Sequence, residues 1–189
     1  MAGLSSQTTM NRSKELSLTA TMVAIGAVAR IVLGNIALES PSPLFGILIK
    51  VGLTETLTIT NGLALGPASG FITGALIIVV SDLFMTPGAW TPFVAAIIGL
   101  LGFSAGMVRT LFRNPNALKF AIVAAFLTIL SEFLQNLWVA AFYNLPISAT
   151  MMVGLPSLVT AFANNVILLT AVGPRIMKMI QEAAGNQLG

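Results

Sequence analysis

"IKVGLTETLTITNGLALGPASGFITGALIIVVSDLF", residues 49–84, decides the fold. It consists of two apolar runs divided by Gly66 and Pro67. Taken to their apolar limits, 46–65 and 68–86, the runs match the roughly 20 residues an α-helix needs to cross a bilayer. The joint "LGPAS" is so short that the two helices must form an antiparallel hairpin. Gly62, Gly66, Gly70 and Gly74 recur every four residues, a spacing that lets membrane helices approach closely. Yet the first run also carries Lys50, Glu55, a series of threonines and Asn61. Charges at mid-bilayer cost about 2.5–3.5 kcal/mol each on insertion scales, so they call for a wet cavity or a partner.

Outward from this hairpin the chain keeps the same character. It has 189 residues, 56% of them hydrophobic and 8% charged, against roughly 25% charged in a typical soluble domain. Six apolar segments stand out, at 16–34, 46–65, 68–86, 92–112, 117–143 and 156–175. They are separated by "ESPSP", Gly66-Pro67, "TPGAWTP", "RNPN" and "NLPISATMMVGLP". Pro174 is expected to kink or stop the sixth. The expectation is an all-α fold, an integral membrane bundle of six transmembrane helices over 16–180. A cytoplasmic N-terminal segment, 1–15, and a cytoplasmic tail, 181–189, flank it. The first 15 residues are polar, so no cleavable signal peptide is expected before the first apolar segment.

Composition also excludes several chemistries. The chain has no cysteine and no histidine. That removes disulfides, thiolate nucleophiles, Ser-His catalysis and most transition-metal sites; neither metal nor cofactor is expected. The net charge of +3 comes from scattered cations that form no phosphate-binding stripe, so nucleic acid is not an expected partner.

The cations set the orientation instead. Arg12, Lys14, Arg109, Arg113, Lys119, Arg175 and Lys178 all fall on one side of a six-crossing topology. By the positive-inside rule both termini are cytoplasmic in the cell membrane. The intramembrane polar groups then lie in the outer half: Arg30, Lys50, Glu55, Asp82, Glu132, Gln135, Asn136 and Tyr143, with Ser157, Thr160, Asn164 and Asn165.

These residues share helix faces. Lys50, Thr54, Thr58 and Asn61 form one stripe, Glu132, Gln135, Asn136 and Tyr143 a second, and Ser157, Thr160 and Asn164 a third. Three polar stripes at one depth point to a ligand pocket open to the outside. The competing reading is that Lys50 snorkels to the interface and the threonines bond back to their own helix. The expected binding residues are Lys50, Glu55, Thr58, Glu132, Asn136, Tyr143, Thr160 and Asn164, with Tyr143, Trp138 or Trp90 available for stacking. Arg30 and Asp82 read as interface or structural residues. Ala20 and Ala24 form a smooth patch on the first helix that either packs inside the bundle or faces another membrane protein.

Together these features resemble the substrate-binding (S) components of energy-coupling factor (ECF) vitamin transporters. The resemblance rests on the six-helix count, the Ala20-xxx-Ala24 pair, the proline-containing outer loop at 35–45, "LIKVG", "LALGPASGFITGALIIVVSDLF" and "TPFVAAIIGLLGFSAG". It implies a high-affinity binding subunit for a vitamin-like small molecule, with no ATPase of its own. It also implies partners, a transmembrane coupling subunit and two cytosolic ATPases, with Ala20 and Ala24 as the docking surface. No stretch singles out one vitamin. The alternative is a self-sufficient secondary transporter or channel using Glu55 and Glu132. An intramembrane enzyme is the least supported class, and no catalytic residue is expected.

Overall fold

A computed structural model describes residues 12–39, 43–85, 87–112 and 116–185, with side chains outside 34–51. Among the described residues there are six α-helices: α1 (Arg12–Glu39), α2 (Pro43–Leu65), α3 (Pro67–Phe84), α4 (Thr91–Met107), α5 (Ala117–Phe142) and α6 (Ile147–Ala184). A short 3₁₀ turn, Arg109–Phe112, follows α4. Four stretches are long and apolar enough to span a membrane, Arg12–Leu33, Pro67–Phe84, Ala117–Phe142 and Ile147–Ala184, and Thr91–Met107 is a shorter apolar helix. Following the charge distribution, we call the end bearing Gly66 and Arg109 inner and the end bearing Asp82 and Trp90 outer.

The α2–α3 reversal forms as its residues dictate. Gly66 has φ 120°, a backbone region open to glycine and strained for other residues. Pro67 starts α3 where its missing N–H costs nothing. Arg109 donates from Nη1 to the Leu65 carbonyl at 3.0 Å and so satisfies the end of α2. The glycines of the hairpin then meet α4. A Cβ on Gly62 or Gly70 would lie 2.2 or 2.3 Å from the Gly102 carbonyl oxygen, and one on Gly106 2.3 Å from the Pro67 nitrogen. Three helices touch backbone to backbone along this seam. Below it, Leu63, Leu101, Phe112, Phe120, Leu169 and Met177 form a fully buried inner core.

The sixth helix differs from expectation. It runs from Ile147 through both Pro156 and Pro174 to Ala184, so the break placed at 144–156 shrinks to a few residues. Membrane helices tolerate internal prolines because neighbouring groups re-satisfy the freed backbone. The chain reverses instead at Asn144, which has φ 52°. The Leu145 N–H donates to the Ala140 carbonyl at 2.9 Å across it, the closing bond of a left-handed helix C-terminus. The first helix is also longer than 16–34, beginning at Arg12, and the fourth ends earlier, at Met107.

Candidate substrate-binding site

At the outer end the helices part around a cavity of about 380 Å³. Its lining comes from every helix: Arg30 on α1, Thr54 and Glu55 on α2, Ile78 on α3, Val94 and Ile98 on α4, Glu132, Gln135, Asn136 and Val139 on α5, and Gly154 and Ser157 on α6. The wall is two-faced. The α3–α4 side is aliphatic, and the α2–α5–α6 side presents carboxylates, amides and hydroxyls. A shallower hollow of about 210 Å³ adjoins it behind Asn136, Val139 and Gly154.

Each carboxylate is held from behind. Glu55 is 1% exposed; it accepts from the Asn165 amide on one oxygen and from Ser131 Oγ on the other at 3.4 Å. Asn165 also donates to Thr128 Oγ1 at 2.9 Å. Glu132 accepts from Ser157 Oγ at 3.2 Å, which ties α5 to α6. Gln135 Nε2 donates to Ser131 Oγ at 3.0 Å, and Asn136 Nδ2 to the Glu132 carbonyl at 2.8 Å. A carboxylate offers about four acceptor positions, so both acids keep lone pairs for a ligand. Buried acids with this much polar support in a hydrocarbon environment make this cavity the candidate site.

The structure brings together some of the expected residues and separates others. Glu55, Glu132 and Asn136 line the cavity. Thr58 is fully buried, with its methyl directed at Gly74 and Gly102 in the seam. Asn164 packs on Gly52, where a Cβ would lie 2.4 Å from its Nδ2. Thr160 donates to the Pro156 carbonyl of its own helix at 2.9 Å. Tyr143 is 56% exposed and meets Phe142 edge-on at 5.0 Å, away from the cavity. Trp138 stacks on Phe142 and meets Phe93 at a tilt, both with ring centroids 5.1 Å apart; neither it nor Trp90 is among the residues lining the cavity. Lys50 lies outside the residues whose side chains are described.

Other lining residues carried a fainter signal. Gln135 and Ser157 sit on the expected stripes, and Thr54 shares the α2 stripe with Thr58. Asn165, Ser131 and Thr128 support Glu55 from adjacent positions. Arg30 is a wall residue as well as the partner of Asp82; its membrane depth was the available clue.

A family model described as "ECF-type riboflavin transporter, S component" matches residues 10–181. The chain belongs to that family. No curated protein and no solved structure gives a significant match. As an ECF S component, the chain is a multi-pass plasma-membrane protein of vitamin uptake, the membrane-embedded substrate-binding subunit of an ECF transporter. The family works with a small-molecule substrate and an ECF module of membrane subunit and ATPases, and it is a family of transporters rather than enzymes.

Proposed function

We propose that this S component captures riboflavin from outside the cell in the outer cavity. It passes the vitamin to a coupling subunit driven by two cytosolic ATPases. The family description supports the vitamin; the observation on the chain itself that carries the reading is the two-faced wall. Riboflavin joins a flat tricyclic ring, with an apolar dimethylbenzene end and a carbonyl-bearing edge, to a sugar-alcohol chain. Ile78, Val94, Ile98 and Val139 offer the ring an aliphatic bed, while Glu55, Glu132 and Thr54 offer acceptors and a hydroxyl to the chain. A cavity of about 380 Å³ falls within the roughly 300–1,000 Å³ of small-molecule sites.

The coupling subunit docks on α1. Ala20 and Ala24 are exposed there, beside exposed Leu16, Ile25, Val28 and Val32. Ala24, Ile25, Val28, Ala29, Val32 and Leu33 shape a shallow apolar trough. Small residues in such a face admit close approach of a second membrane helix.

The test has two parts. Purified chain titrated with riboflavin should quench flavin fluorescence with one-to-one stoichiometry, and vesicles should accumulate riboflavin only when the coupling subunit, the ATPases and ATP are present. Ala24→Leu should abolish that uptake and leave the titration unchanged. Ion-driven riboflavin flux through the chain alone would instead establish a self-sufficient transporter relying on Glu55 and Glu132.

A further inference from the structure

Arg30 is the cation among the described residues of the cavity wall, and the flavin reading so far leaves it without a task. Its Nη1 donates to Asp82 Oδ1 and to Ser81 Oγ. The two side chains are 15% and 6% exposed. The other oxygen of Asp82 accepts from Thr91 Oγ1 at 2.7 Å, and Thr91 Oγ1 accepts from the Gly88 N–H at 3.2 Å. The guanidinium is thus held by α3 and, through Asp82, by the start of α4.

A tie between helices accounts for Nη1 alone. Arginine carries five N–H donors in a rigid fork. Among the described residues, Nε and Nη2 of Arg30 have no hydrogen-bond partner. Because Arg30 lines the cavity rather than the lipid face, those donors are available to a ligand. Asp82 matters for what kind of ligand. It compensates the guanidinium charge, so the fork favours a neutral acceptor over an anion that would have to displace or repel a buried carboxylate.

We propose that Arg30 contacts the ligand directly and donates to the carbonyl oxygens at one edge of a flavin ring, with Asp82 as its positioning residue. The inference rests on the flavin reading above. Donor and acceptor types decide the polarity of binding. The two carbonyl oxygens of that edge, which flank a single N3–H, only accept and suit the donor-only guanidinium. Glu132 and Glu55 present carboxyl oxygens, which accept from the hydroxyls of the sugar-alcohol chain; those hydroxyls both donate and accept, so they suit the acids in either protonation state. The reverse placement would leave carbonyls facing carboxylates.

The test uses two probes on the purified full chain, followed by fluorescence titration. Riboflavin has both the carbonyl edge and the chain; lumichrome has the same carbonyl edge and no chain. Arg30→Gln should weaken both probes by about tenfold or more, the loss of a charge-assisted hydrogen bond. Glu132→Ala should weaken riboflavin by a similar factor and leave lumichrome within about threefold. Arg30→Lys keeps the charge for Asp82 but not the fork; it should restore the thermal stability of the protein while lumichrome stays weakened. It also serves if Arg30→Gln does not fold. Arg30 variants that leave lumichrome unchanged, or wild-type chain that binds riboflavin and not lumichrome, would overturn this inference alone. Wild-type chain that binds no riboflavin would overturn the flavin reading and this inference with it.

Discussion

The inner seam, made by α2, α3 and α4, and the outer cavity, lined by all six helices, obey opposite rules. At the seam, α2, α3 and α4 meet through glycines with no space left. A Cβ on Gly102 would lie 2.2 Å from the Gly70 carbonyl oxygen and 2.4 Å from its carbon. At the cavity, α6 faces α5 through Gly154, where the atoms nearest to a Cβ would be those of the Asn136 amide, from 2.4 Å. Backbone cannot yield and a side-chain amide can. Glycine therefore specifies closure in one region and space in the other. The rigid seam anchors three helices, so polar groups on α5 and α6 can be held around an opening rather than collapsing into it.

The largest effect should come from attacking the seam. Gly102→Ala should cost about 1–3 kcal/mol or more in stability, read as a lowered thermal midpoint in detergent. Gly154→Ala should leave the midpoint nearly unchanged and reduce riboflavin affinity instead. Equal midpoints for the two variants would erase the distinction between the regions.

Next comes the cavity chemistry. Glu132→Ala should lower riboflavin affinity by about tenfold to a hundredfold, the range for losing a hydrogen bond to a charged group. Folding should persist, because among the described residues Ser157 is the one side chain of another helix that bonds Glu132. Unchanged affinity in a calorimetric titration would remove the acid from the site.

Access can be compared directly, since the chain has no native cysteine to interfere. Asn136→Cys should react with an impermeant thiol reagent added outside, and bound riboflavin should slow the reaction. Thr58→Cys should stay unreactive from either side, as its position is fully buried. Labelling at position 58 would show that the seam opens. The smallest effect belongs to Thr160→Ala, which removes a bond internal to α6. Stability and affinity should both shift by less than about 0.5 kcal/mol.

Legibility in the sequence followed the same division. Gly62, Gly66, Gly70 and Gly74 announced the seam because small residues four apart have one simple use in lipid. The two acids announced the cavity because isolated carboxylates are untenable there. The α2 stripe was less informative. Thr54 reaches the cavity, Thr58 packs in the seam, and Asn61 donates to Thr73 Oγ1 at 2.7 Å. A helix buried on all sides offers different neighbours at each turn, so residues in one row need not serve one purpose. The α6 row divided likewise: Ser157 bonds Glu132, Thr160 bonds its own backbone, and Asn164 packs on Gly52.

The sequence by itself determined that this chain is an all-helical membrane protein built on six apolar segments, and that Glu55 and Glu132 need a polar setting. Those properties follow from the solubility of each segment and each charge, and need no knowledge of neighbours. Only the tertiary structure decided that α6 passes unbroken through two prolines, that Asn165 rather than Asn164 supports Glu55, and that Arg30 pairs with Asp82 while lining the cavity. Those outcomes depend on which atoms from distant parts of the chain come within hydrogen-bond reach, and spacing along one helix carries no record of that.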